Sequence, residues 1–162
     1  MRQTAKSSSG PHRSGHGARP AITWVGAHGG AGVTTLAAQF GGLDSGTNWP
    51  GSDAAPHGAV LLVARTHAAG LQSASRTLDA LRQGRHPAAD RLAALVLVAD
   101  APGRLPLKLA RRVRVLRSAV RVVWVPWIAA WRVGDTLQGP TKEIGALAAL
   151  TTQLSHTTEG RS

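Results

Sequence analysis

Four short apolar runs constrain this chain more than any other feature: residues 21–27 (AITWVGA), 59–64 (AVLLVA), 92–99 (LAALVLVA) and 121–128 (RVVWVPWI). They are β-branched or Leu-rich and nearly continuous rather than alternating. That is the pattern of strands buried on both faces, which parallel sheets covered by helices produce. The intervening segments carry a helical period. Within residues 105–120, Leu105, Leu109, Val113, Leu116 and Val120 recur along one narrow stripe. Leu71, Ala74, Leu78 and Leu81 share a side of a second helix over 71–81, a third begins over 34–40, and Ile144, Leu147, Ala148 and Leu150 mark a fourth over 144–154. Strands alternating with helices imply right-handed βαβ crossovers and a small three-layer α/β fold with a mostly parallel sheet. Residues 41–58 (GGLDSGTNWPGSDAAPHG) break the pattern. A connection of that length in a compact domain signals a functional loop or a lost strand.

The chain has 162 residues, enough for one domain, and 43% apolar composition supplies a core, which excludes a wholly disordered chain. Residues 1–20 are basic and rich in Ser, Gly and Pro, and are expected to form a flexible tail ahead of a domain over 21–155. Residues 156–162 are expected to be a flexible C-terminus. The absence of cysteine excludes a disulfide framework, a thiolate nucleophile and thiolate-bound zinc. The 7 histidines are scattered without metal-ligand spacing, which argues against a metal hydrolase. No run approaches the roughly 18–20 apolar residues of a transmembrane segment. With no apolar signal region near Met1, a cytoplasmic protein is expected.

The first strand runs into Gly26-Ala27-His28-Gly29-Gly30-Ala31-Gly32-Val33-Thr34-Thr35 and then a helix. Strand, Gly-rich turn, Thr-Thr and helix make a ready phosphate site, because loop amides converge beside the positive end of a helix. Here the chain resembles the ParA/MinD branch of P-loop NTPases, whose deviant Walker A reads K-G-G-x-G-K-[ST]-[ST]. Gly29, Gly30, Gly32, Thr34 and Thr35 match that frame, with Ala31 at its variable position. Both lysines are missing: His28 stands at the signature-lysine position and Val33 at the invariant one. The resemblance covers about residues 21–155 and implies a P-loop α/β fold with ATP or GTP and Mg²⁺ at residues 28–35.

The missing lysines have a physical consequence. The P-loop lysine neutralises the phosphates as charge moves during transfer, and the signature lysine reaches the same phosphates across a dimer. Valine offers neither charge nor donor, so ordinary hydrolysis is not expected. Arg65 or Arg104, near strand ends, could take a lysine's place; Lys6, Lys108 and Lys142 are the lysines available. Residues 95–103 (LVLVADAPG) resemble the family's Walker B, which would pair Asp100 with Thr34 on Mg²⁺. Alternatively, Asp-Ala-Pro-Gly merely caps the next helix. In another alignment, residues 60–71 resemble a later family strand, and Walker B is deleted with the 41–58 loop. Residues 121–134 resemble the family's last stretch, a strand entering a Val/Ile-Pro turn and an Arg-containing segment near the base or the dimer face.

Positive charge suggests one class of partner. Lys and Arg total 19 against 8 acids, a net +11, although GC-rich coding alone also favours Arg. The 105–120 segment and its flanks bear Arg104, Lys108, Arg111, Arg112, Arg114, Arg117 and Arg121 and no acid, a face suited to non-specific DNA through phosphate contacts. Trp124 is expected in the sheet core. Trp127 and Trp131 are candidates for a homodimer or protein-partner surface, core packing being the plainer reading, and Trp49 is a candidate exposed anchor. The leading functional expectation is a non-catalytic ParA/MinD-like binding or scaffolding component in DNA partition or a mobile element. The alternatives are a nucleotide-binding switch and a non-specific DNA-binding protein.

Overall fold

A computed structural model describes residues 21–51, 58–135 and 142–159 of the chain; the expected N-terminal tail and Lys6 lie outside them. The elements are β1 (Ile22–Gly26), α1 (Val33–Phe40), β2 (Leu43–Asp44), β3 (Ala59–Arg65), α2 (Ala68–Arg82), β4 (Leu92–Val98), α3 (Leu107–Ala119), β5 (Val122–Val125) and α4 (Gly145–Glu159), with short 3₁₀ turns at Ala89–Arg91, Ala129–Val133 and Lys142–Ile144. The five strands form one sheet in the order β2-β1-β3-β4-β5, and every pairing is parallel. The α/β fold is therefore as the apolar runs indicate.

Successive strand residues point to opposite faces, and both faces are covered. Ile22, Trp24, Leu61, Val63 and Val96 pack with Leu36 of α1 and with Leu147 and Leu150 of α4. Val25, Leu62, Ala64, Leu95 and Leu97 pack with Leu71 and Leu78 of α2 and with Val113 and Leu116 of α3. This two-sided burial explains why β3 and β4 read as unbroken apolar runs. None of the described helices is long and apolar enough to cross a membrane.

Three helix ends depart from the sequence expectation by two residues or more. Helix α2 starts at Ala68 rather than 71, because His67 caps it: its Nδ1 accepts the Gly70 amide at 2.9 Å. Helix α3 starts at Leu107, with the Ala110 amide bonding the Pro106 carbonyl at 2.9 Å, so Leu105 precedes the helix while still packing on the core. Helix α4 continues beyond 154 to Glu159.

The 41–58 connection contains a strand that the sequence pattern does not announce. Leu43 and Asp44 pair in parallel with Thr23 and Trp24, and both are exposed, so no apolar signal marks them. The close approach needs glycine: a Cβ on Gly42, whose φ is +101°, would stand 2.8 Å from the Ile22 carbonyl oxygen and 2.9 Å from Trp24 Nε1. Trp24 Nε1 in turn donates to the Gly41 carbonyl at 2.7 Å.

Candidate phosphate-binding loop

The chain leaves β1 to one side for β2 and returns to the other side for β3. The C-terminal end of β1 is thus a switch point, where open parallel sheets leave a crevice. The glycine loop lies there. The Gly26 amide donates to the Gly46 carbonyl at 2.6 Å and the Ala27 amide to the Val63 carbonyl at 2.8 Å, fixing the loop's start between β2 and β3. Gly30 and Gly32 have φ of +74° and +104°, values that L side chains rarely adopt.

Past that point the loop's amides find no acceptor among the described residues: none of the N–H groups from Gly29 to Thr35 donates to the chain, and the first helical bond is Leu36 N–H to the Gly32 carbonyl at 3.0 Å. Successive unpaired donors at the entry of a helix place partial positive charge there.

His28 is used differently from a phosphate-binding cation. Its Nε2 accepts the Arg65 amide at 3.1 Å, while Nδ1 donates to the Gly29 carbonyl at 2.8 Å. Those two contacts need the neutral imidazole with its proton on Nδ1. The side chain ties the loop to the end of β3, with the His67 ring 5.2 Å away. Val33 points inward, 7% exposed in the core, its Cγ2 lying 3.2 Å from where a Cβ on Gly26 would stand. Ala31 is also buried.

Thr34 meets a carboxylate, and it belongs to Asp44 rather than to Asp100. Thr34 Oγ1 donates to Asp44 Oδ2 at 2.7 Å, and the Gly46 amide donates to Asp44 Oδ1 at 2.8 Å. These bonds, the Thr34 one first, hold the Asp44 carboxyl below its usual pKa of 3.8 against a slight opposing desolvation. Asp100 follows β4, a strand separated from β1 by β3. Its amide donates to Thr66 Oγ1 at 3.0 Å and its carbonyl accepts from Arg132 Nη2 at 3.4 Å. Asp44 escapes a sequence-based expectation because a two-residue exposed strand carries no periodicity; a bare Leu-Asp ahead of Ser-Gly is its only mark.

A cavity of about 30 Å³ opens beside Gly32 and Thr35, bordered by Arg65, Trp127, Trp131 and Arg132. Of the two arginines expected to replace a lysine, Arg65 is the one brought to the loop. Arg104 is exposed in the β4–α3 connection, bordering a different groove with Asp100. Trp127 and Trp131 are half-buried around the cavity. Trp124 is half-buried as well and borders a groove with Arg114 and Arg117. Trp49 is no exposed anchor: it is half-buried, its ring is tilted against that of His86 with centroids 5.2 Å apart, and it packs against the core on the α2 side. Lys108, Arg111, Arg114, Arg117 and Arg121 are all exposed along α3 and at its end. No group of three or more His, Cys, Asp or Glu able to hold a metal occurs among the described residues.

Residues 21–147 match a family of unknown function, DUF6668. No curated protein and no solved structure matches the chain.

Proposed function

The chain belongs to this family of unknown function, and from its residues we propose a ParA/MinD-like P-loop protein that binds a nucleoside polyphosphate with Mg²⁺ and does not hydrolyse it. The observation that carries the reading is the Thr34–Asp44 contact at 2.7 Å, which joins the first helical turn after a glycine loop to the end of the neighbouring parallel strand. The amides of residues 29–35, which find no acceptor among the described residues, support it.

Mg²⁺ fits the donor set: the Thr34 hydroxyl and Asp44 carboxylate are hard oxygen ligands, and the ion would neutralise phosphate charge held by the loop amides. The chain's own part is to bind and orient. Turnover lacks support, because Val33 is packed into the core and the His28 imidazole is occupied by two backbone groups. Both lysine positions have become structural.

The test is a calorimetric titration of the full chain with ATP and GTP, with and without Mg²⁺, followed by a phosphate-release assay. Expected are saturable Mg²⁺-dependent binding, its loss in Gly32→Asp, and background turnover. Absent binding, or binding indifferent to Gly32→Asp, overturns the reading.

A second reading, non-specific DNA binding, draws on the exposed row of Lys108, Arg111, Arg114, Arg117 and Arg121 with no acid in the helix. It does not compete with the first, since α3 packs on the sheet face opposite α1.

A further inference from the structure

The cavity beside the glycine loop is bordered by arginine and tryptophan side-chain donors from two separate chain segments. Arg65 ends β3, is half-buried, and donates through Nη1 to the Ala99 carbonyl at 3.3 Å. Its Nη2 lies 3.8 Å from where a Cβ on Gly32 would stand. Arg132 comes from the 3₁₀ turn after β5, with its guanidinium carbon 4.7 Å from the centre of the Trp127 ring. Trp131, from the same turn, borders the cavity, and its indole N–H is buried without an acceptor among the described residues.

Two cations are thus held at one cavity. Among the described residues, neither guanidinium has a carboxylate within ion-pair distance. Burial, and next the charge of Arg132, pull the Arg65 pKa below its usual value, with Asp100 opposing. Partly desolvated positive charge and an orphaned N–H are costly unless an anion completes them. A planar guanidinium suits a phosphoryl group better than an ammonium does, because its fork donates to two oxygens at once. A space of about 30 Å³ takes one or two water-sized groups. It admits one or two oxygens of a phosphoryl group whose remainder faces the loop.

We infer that Arg65, Arg132 and the Trp131 N–H form an anion clamp for the terminal phosphoryl group of a nucleoside polyphosphate, supplying from β3 and the post-β5 turn the charge missing at position 33. The ligand's identity rests on the nucleotide reading above; the clamp itself rests on the cavity. Because Trp127 and Trp131 border the cavity, intrinsic fluorescence reports its occupancy.

The full chain is titrated by fluorescence and calorimetry with pyrophosphate, ADP, ATP and GTP, each with Mg²⁺. Arg65→Met and Arg132→Met are each expected to weaken binding of pyrophosphate and triphosphate about tenfold or more. Arg65→Lys should retain part of the affinity, and urea unfolding verifies that each variant is folded. Arg132 is exposed, so Arg132→Met tests the clamp even where Arg65 variants unfold. Wild-type affinity in both Met variants, with binding lost in Gly32→Asp, overturns the clamp and leaves the nucleotide reading standing. Arginine-dependent pyrophosphate binding without nucleotide binding sustains the clamp and overturns that reading. Failure of the wild-type chain to bind any of the four overturns both.

Discussion

At the scale of single residues, the contacts around the loop make distinct demands. The Thr34–Asp44 bond holds the Asp44 carboxyl below 3.8. A depressed carboxyl pKa stabilises the folded state above its unfolded value, and the contribution disappears as pH falls through the lower folded value. The tie between α1 and β2 is therefore intact above about pH 4 and broken only in stronger acid. Thr34→Val should raise the Asp44 pKa toward 3.8, read by NMR titration of the side-chain carboxyl carbon. An unmoved midpoint would show that the hydroxyl does not hold this carboxylate. Gly70 makes a steric demand: a Cβ there would overlap the Arg65 carbonyl and lie 2.9 Å from His28 Nε2. Backbone must shift to admit it, so Gly70→Ala is expected to destabilise by about 1–3 kcal/mol in urea unfolding. Unchanged stability would mean that the α2–β3 junction yields freely. Neither demand is legible in the sequence. Asp44 sits in a segment without apolar pattern, and Gly70 precedes the helix expected over 71–81.

Among the elements, α1 and α3 separate what a motif suggests from what packing permits. Val33 begins α1 and faces the core. Restoring the family's lysine there asks the first turn to bury or redirect an ammonium in surroundings built for a valine. Val33→Lys is expected to lower the unfolding midpoint and leave phosphate release at background; turnover in that variant would show that a lysine alone was missing. For α3 the apolar stripe is legible: Val113 and Leu116 are its buried residues, leaving the arginines outside as the 3.6-residue period requires. Were this face to bind DNA, each phosphate that is no longer neutralised would flatten the dependence of log K on log salt by about 0.9. Changing Arg111, Arg114, Arg117 and Arg121 to Gln should weaken binding and reduce that slope by up to about four such increments. A variant with the wild-type slope and affinity would eliminate the DNA reading.

Considered as a whole, the molecule is a sheet with cores on both faces, and its central strands are nearly sealed. Leu62 and Leu95 are fully buried on the α2–α3 side. Truncating either to Ala leaves a cavity between two layers, with an expected loss of about 2–5 kcal/mol, a large share of the roughly 5–15 kcal/mol that holds a domain folded. Denaturant unfolding measures it. A cost below about 1 kcal/mol would mean that the helices collapse onto the gap. Composition and period determined by themselves that the chain forms a parallel α/β sheet, which runs are strands, and that a glycine turn follows the first one. These are consequences of local stereochemistry and of the solvent preference of side chains, both of which sequence records. The order β2-β1-β3-β4-β5, the meeting of Thr34 with Asp44, the seating of Val33 in the core and the approach of Arg65 and Arg132 to one cavity were decided only in three dimensions. They depend on strand order and on long-range backbone bonds between segments whose local patterns carry no record of one another.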